Sequence, residues 1–289
     1  SPASDDSQAK MVAEAEAGIA DSQAQLGQFY EAGQVVPQDY KEAVKWYSRA
    51  AEQAHLNSQF RLGNCHELGR GVAQDYVEAY KWYNLVGAFG HQRAVEARDK
   101  VMRLMSPWQI TEGQKRASEA YKLVRQKLAA GKEASEKLKK QLGILESNQS
   151  TSLMGVVQQA NPFEQYALGQ KYLIGDGVPQ DFVAGGMLIQ LAVENGNPEA
   201  QFSLAELCTR GQGVPLNYAE SIVWFHKAAE QDHVGAQFTL ATKYELGEGV
   251  PQDYAAAGRW YQRAADRNNA AAQYALGCLY QKGQGVVQD

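Results

Sequence analysis

Cysteine is scarce in this sequence of 289 residues: Cys65, Cys208 and Cys278 are odd in number and far apart. Such a set makes neither a disulfide framework nor a zinc-ligand spacing. Long hydrophobic runs are missing as well. No stretch approaches the roughly 18 consecutive apolar residues of a membrane-spanning helix, so no transmembrane segment is expected. The opening SPASDDSQAK has no basic stretch leading into an apolar one, and no secretory leader is visible in it. Excess positive charge is absent: 33 Asp and Glu against 28 Lys and Arg give a net charge of -5, which weighs against nucleic-acid binding as the chief role.

Catalytic signatures are lacking too. No glycine loop runs into Lys and Ser or Thr, and no His-Glu-x-x-His occurs. His226 and His233 stand seven apart, one on a helix and one near its end, which does not suit a shared metal. Cys65 and His66 are adjacent, and adjacent helical side chains diverge by about 100°. His66 and Cys208 read as packed core. No nucleophile is set beside a base, so no enzyme activity, cofactor or metal is expected.

What is abundant is repetition. The string YELGEGVPQDY at 244–254 returns as YLIGDGVPQDF at 172–182 and as YQKGQGVVQD at 280–289. The position of Pro in VPQD falls at Pro37, Ala73, Pro179, Pro215, Pro251 and Val287. The steps are therefore 36, 106, 36, 36 and 36 residues. Two repeats, an interruption, three complete repeats and the start of another follow from that spacing.

Each period reads as two helices. Gln23, Leu26, Gly27 and Tyr30 form an i, i+3, i+4, i+7 stripe, and the pattern recurs with Gln at 59, 165, 201, 237 and 273. The residue after the Leu is always Gly or Ala, which is expected to admit another helix backbone. A Gly-x-Gly-Val stop follows, suited to a left-handed helix end. The first repeat departs from it, with Val35 where the second Gly should stand. The second helix opens at Asp39, Asp75, Asp181, Asn217 or Asp253, each a good N-cap. Glu42, Glu78 and Glu220 three residues later have capping-box spacing. Trp46, Trp82, Trp224 and Trp260 then occupy one recurring slot and are expected in the core.

These marks resemble the Sel-1-like repeat (SLR) family of tetratricopeptide-like α-solenoids, whose pattern can be followed through residues 237–265, and the resemblance covers about 22–90 and 163–289. It implies an all-α solenoid of antiparallel helix pairs, in two blocks joined by a long helical insertion. The expected division is 1–110, 111–160 and 161–289. For function, the resemblance implies a non-enzymatic scaffold or adaptor for a protein or peptide. The settings it brings are bacterial envelope, secretion, signalling or virulence assemblies, or eukaryotic endoplasmic-reticulum quality control, with a periplasmic or secreted location favoured. The alternative is an envelope protein that binds or hydrolyses peptidoglycan or polysaccharide. No feature points to a particular oligomeric state.

By similarity to tetratricopeptide solenoids, one stripe of each first helix lines the concave face. It carries Ala24, Phe60, Tyr166, Phe202, Phe238 and Tyr274, with Gln28, Gln170, Glu206 and Thr242 four residues on and Glu31 and Glu245 beyond. Rings among polar groups suit an extended peptide or a partner helix. The candidate partner-binding residues are Phe60, Tyr166, Gln170, Phe202, Glu206, Phe238, Thr242, Glu245 and Tyr274. The same rings also suit packing between neighbouring first helices.

The interruption, 91–162, breaks the pattern: Val95, Arg98 and Asp99 fall where Gln, Leu and Gly belong. Ser106-Pro107-Trp108-Gln109 reads as a helix start. Tyr121, Val124, Leu128, Leu138, Leu142 and Leu145 fit a loose heptad, and ESNQSTS at 146–152 reads as a joint. Within 111–147, nine Lys and Arg meet five Asp and Glu, net +4. The other residues hold 19 basic and 28 acidic groups, net -9. The segment suits a cap and spacer, or a basic surface for a partner. Asp289 matches the N-cap Asp253, so the natural chain is expected to continue with a partner helix. The last first helix is then expected to expose Leu276, Leu279 and Tyr280.

Overall fold

The computed structural model describes residues 2–141, 161–194 and 196–285, with the side chains of 9–127 and of the latter two spans. The heptad positions from Leu128 on, the joint at 146–152, Val287 and Asp289 lie outside those described side chains. Two compact units divide the chain, 1–148 and 149–289. The first holds α1 (Pro2–Glu16), α2 (Ala20–Ala32), α3 (Tyr40–Glu52), α4 (Leu56–Leu68), α5 (Tyr76–Ala88), α6 (Gln92–Met102) and α7 (Pro107–Gln141). The second holds α8 (Pro162–Ile174), α9 (Phe182–Glu194), α10 (Pro198–Arg210), α11 (Tyr218–Glu230), α12 (Val234–Leu246), α13 (Tyr254–Ala265) and α14 (Ala270–Lys282). No strand occurs among the described residues, and successive helices pack in pairs. The fold is the helical solenoid that the period of 36 predicts.

The hinge explains why its residues recur. Gly69 ends α4 at φ 67°, where its N–H bonds the Cys65 carbonyl. Gly71, at φ 74°, lies against the first turn of α3, and a Cβ there would overlap the Tyr40 carbonyl. The second glycine therefore lets one repeat's hinge sit on the preceding repeat's second helix. This accounts for Val35, which is exposed in the first repeat, and for Gly177, which meets nothing within 4 Å in the first repeat of its unit. The Gln of VPQD locks the turn: Gln38, Gln74, Gln180 and Gln252 each donate to a carbonyl at the end of the preceding helix, at 2.8–2.9 Å.

The second helices start at the expected caps, with Asp39 accepting from the N–H groups of Lys41 and Glu42. The expected capping boxes are only half made at Asp39 and Asp75. Glu42 turns to Lys45, and Glu78 to Lys81 and Arg116, because a basic neighbour offers the carboxylate a stronger partner. Reciprocal boxes form instead at Asn161–Glu164 and at Ser106–Gln109.

The core also corrects two expectations. The small residue after the Leu admits a side chain rather than a helix backbone: a Cβ on Gly27 would stand 2.7 Å from the Tyr47 ring, and one on Gly63 would stand 2.5 Å from the Tyr83 ring. The deepest slot of the second helix belongs to the residue after the Trp. Trp46 is buried as expected, but Trp82, Trp224 and Trp260 are half-buried, while Tyr47, Tyr83, Phe225 and Tyr261 are almost fully buried. Each Trp also lies under a cation, from Arg49, Lys81, Lys227 or Arg263 at 4.0–4.9 Å. A Trp at the helix surface keeps one face for that contact.

The recurring Gln ties one hairpin to the next. Gln59 Nε2 donates to Ala51 O and Gln237 Nε2 to Ala229 O, both at 3.1 Å. Gln23 makes the same bond to Ala15 at 3.0 Å, so α1 stands where a preceding second helix would. Met11, Val12 and Ala15 pack there with Leu26 and Trp46. At the other end, Leu276 and Leu279 are buried with Tyr261, Ala257 and Ala264, which overturns their expected exposure. They face their own preceding hairpin. Tyr280 is exposed as expected.

In the interruption, α7 packs on α5. Gly113, Gln114, Ala117, Ser118, Tyr121 and Val124 form its buried side. Arg116 pairs with Glu78, Tyr121 meets Phe89 at 5.5 Å, and Lys127 reaches the Glu52 carbonyl. In its described part the basic helix covers the first repeat block.

Candidate functional site

The first-helix stripe lies at the seams between repeats. Phe60 is half-buried on α4, 5.6 Å from the Tyr83 ring and 4.9 Å from His91. Phe202 on α10 stacks on His233 at 4.6 Å and meets Phe225 at 5.7 Å. Phe238 on α12 lies 5.7 Å from Tyr261. Tyr166 and Gln170 on α8 are half-buried, and Gln170 Nε2 donates to Ser203 Oγ at 2.9 Å. Tyr274 on α14 is 77% exposed. Phe60 and Phe202 thus reach the cap histidine of the next repeat, Phe238 packs on its own hairpin, and Tyr274 presents its ring outright.

The polar members are also engaged. Thr242 Oγ1 bonds the Phe238 carbonyl and shares a hydrogen bond with the Tyr261 hydroxyl at 3.1 Å. That hydroxyl donates to Glu245 Oε2 at 2.6 Å. Glu206 pairs with Arg210 one turn on. The Tyr–Glu bond recurs as Tyr47–Glu31 and Tyr83–Glu67, so a carboxylate on the stripe is anchored by a buried ring. Burial and the Glu245 carboxylate push the Tyr261 hydroxyl up to about 12.

Sequence reasoning missed the role of histidine. His55, His91 and His233 are N-caps, each Nδ1 accepting a backbone N–H three residues on. Asn197 and Asn269 do the same in the matching slot. That alignment of His with Asn was the signal available. The remaining ring nitrogen reaches back a repeat, from His55 Nε2 to Asp21 at 3.3 Å and from His233 Nε2 to Glu199 at 3.0 Å. Cys65 is buried, its thiol pushed up to about 11 by desolvation and then by the Glu31 charge. Burial raises Cys208 as well. Neither thiol is activated. Among the described residues no group of His, Cys, Asp or Glu is placed to hold a metal ion, and no helix is long and apolar enough to cross a membrane.

Hairpins of this period, hinge and packing define a helical repeat protein of the solenoid class. The Sel1 repeat profile matches residues 20–55, 56–85, 165–197, 198–233, 234–269 and 270–289, and the chain belongs to that family, whose members are generally scaffolds for protein interaction. The chain is 28% identical to a Sel1 repeat protein from Oxalobacter formigenes, covering 99% of this chain and 72% of that one, with a TM-score of 0.44. It is 26% identical to a protective antigen of uropathogenic Escherichia coli that displays an SLR fold, with a TM-score of 0.42. That match covers 96% of this chain, which spans about half (52%) of the antigen's length. No curated protein shows a significant match.

Proposed function

We propose that this chain is a non-enzymatic scaffold that binds a protein or peptide along the first-helix faces of its repeats. A bacterial envelope, secretion or signalling assembly is the setting this reading favours. The observation that supports it is the line Tyr166, Phe202, Phe238 and Tyr274, in which three rings are half-buried and the fourth is exposed while polar groups flank them. Rings held on rigid helices offer apolar area at little cost in conformational entropy. Glu206 and Glu245 on the same stripe favour a basic or amide-rich segment in the second unit.

The test is affinity capture of partners from native cells with the wild-type chain, followed by titration of the recovered partner against Phe202→Ala/Phe238→Ala. Interface anchors lose more than about 1 kcal/mol on truncation. Weaker binding with an unchanged circular dichroism melt supports the groove. Full binding by a folded double variant rejects it.

A further inference from the structure

The first unit contains a cleft of about 360 Å³ between its first two repeats, lined by Gln28, Glu31, Gln34, Tyr40, Arg61 and Arg70 among others. Gln28 and Glu31 belong to the stripe already described. The two arginines do not follow the repeat. The position of Arg61 is Gln25, Ala167, Ser203, Thr239 or Ala275 elsewhere, and that of Arg70 is Gln34, Asp176, Gln212, Glu248 or Gln284. The hinge and the hairpin therefore form without either guanidinium, yet both converge on one cleft.

Their partners leave donors to spare. Arg61 Nη1 lies 3.2 Å from Glu31 Oε2, the oxygen that also takes the Tyr47 hydroxyl hydrogen at 2.6 Å. Arg70 has its guanidinium carbon 5.5 Å from the centre of the Tyr40 ring, and it makes no ion pair among the described residues. A guanidinium carries five N–H donors, so most of the ten here remain for a ligand. Gln28 and Gln34 add amide donors at the wall. Two arginines against one glutamate leave the cleft with one net positive charge in a chain of net charge -5. That balance matches a monoanion, and planar guanidinium groups match a carboxylate edge.

We propose that this cleft takes the side-chain carboxylate of an Asp or Glu on an extended partner peptide. The inference rests on the reading of the first-helix face as a peptide groove. It gives the first unit a preference for acidic partner sequence, opposite in sign to the edge formed by Glu206 and Glu245.

The test uses the full chain and a fluorescein-labelled, C-amidated peptide of alternating Glu and Ala, with a Gln-and-Ala peptide as its neutral twin. The Glu peptide is expected to bind at least about tenfold more tightly, an advantage that fades with added salt. Arg61→Gln/Arg70→Gln should abolish the difference between the peptides. Glu31→Gln keeps a carbonyl for Tyr47 and removes the resident charge, so it should tighten the Glu peptide. Arginine side-chain NMR signals of Arg61 and Arg70 should shift on titration. Equal binding of both peptides, or a preference that survives the double substitution, overturns the carboxylate cleft while leaving the peptide groove standing. No binding of the Glu peptide at millimolar concentration also overturns it. A phosphoserine peptide that binds more tightly than the Glu peptide overturns the monoanion assignment.

Discussion

Glu245 Oε2 accepts the Tyr261 hydroxyl at 2.6 Å, joining the end of one first helix to the most buried ring of the helix that follows. Tyr47–Glu31 and Tyr83–Glu67 repeat the bond, each partner again 16 residues apart. Replacing Tyr261 by Phe keeps the ring and leaves the carboxylate half-exposed to water. The expected loss is about 1–2 kcal/mol, the worth of a hydrogen bond to a charged group discounted for solvent access. Urea denaturation of the variant checks it, and an unchanged midpoint would contradict the tie.

The period, the glycine hinge, the caps and the first-helix stripe were legible because each depends on residues within one repeat. Asp253 caps α13 by the same local geometry that Asp39 uses in α3. What was not legible depends on partners outside the repeat. Nothing local says that Tyr261 lies deeper than Trp260, since both belong to one apolar face. The cleft between Arg61 and Arg70 is invisible for the opposite reason, because neither residue recurs. Leu276 looked unpartnered from its position in the chain, but its partners precede it.

The Trp slot gives a graded prediction. Phe225 is fully buried beside Ile222, Ala228 and Leu240, so Phe225→Ala should cost about 3–5 kcal/mol through lost burial and a cavity. Trp224 is half-buried under Lys227, and Trp224→Ala should cost clearly less. Thermal melts of the pair test the order. A larger loss at Trp224 would mean that the Trp is the anchor of the helix.

One slot invites stabilisation. Before α2, α4, α6, α10, α12 and α14 the chain turns through a left-handed residue, which is Gly18, Gly90 or Gly196 in three cases and Ala54, Asp232 or Asn268 in the others. Ala54 has φ 67° and no side-chain hydrogen bond to offset the strain. Ala54→Gly should therefore raise stability by about 0.5–1 kcal/mol. A lower melting temperature would reject the strain argument.

The histidines set an acid limit. Burial holds His66 and His226 below their ordinary value of 6.5, so the unfolded chain takes up their protons more readily than the folded protein. Their contribution to stability is complete above that pH and is lost as the pH falls through the depressed folded values. His66→Tyr restores the residue other repeats carry in that slot, and His226→Gln matches Gln190 and Gln262. Denaturant midpoints of the wild type should fall between about pH 7 and 5, and the double variant should flatten that slope. A wild-type slope retained in the variant would place the pH dependence elsewhere.

The docking of α7 is testable at a single glycine. Gly113 faces the Tyr80 ring, and a Cβ there would stand 2.7 Å from the ring edge. Tyr80 is itself fully buried, so it has no room to retreat. A branched side chain at 113 must push α7 away from α5, exposing Ala117, Tyr121 and Val124 on one side and Tyr80 on the other. Overpacking of this kind costs about 1–3 kcal/mol. Gly113→Val should therefore raise amide exchange over 113–124 and in α5 while α2 and α3 keep their protection, because contacts in a solenoid fall off beyond the neighbouring repeat. Gly113→Ala should show the same pattern in milder form. Unchanged exchange over 113–124 in a folded Gly113→Val variant would mean that α7 does not rest on Tyr80.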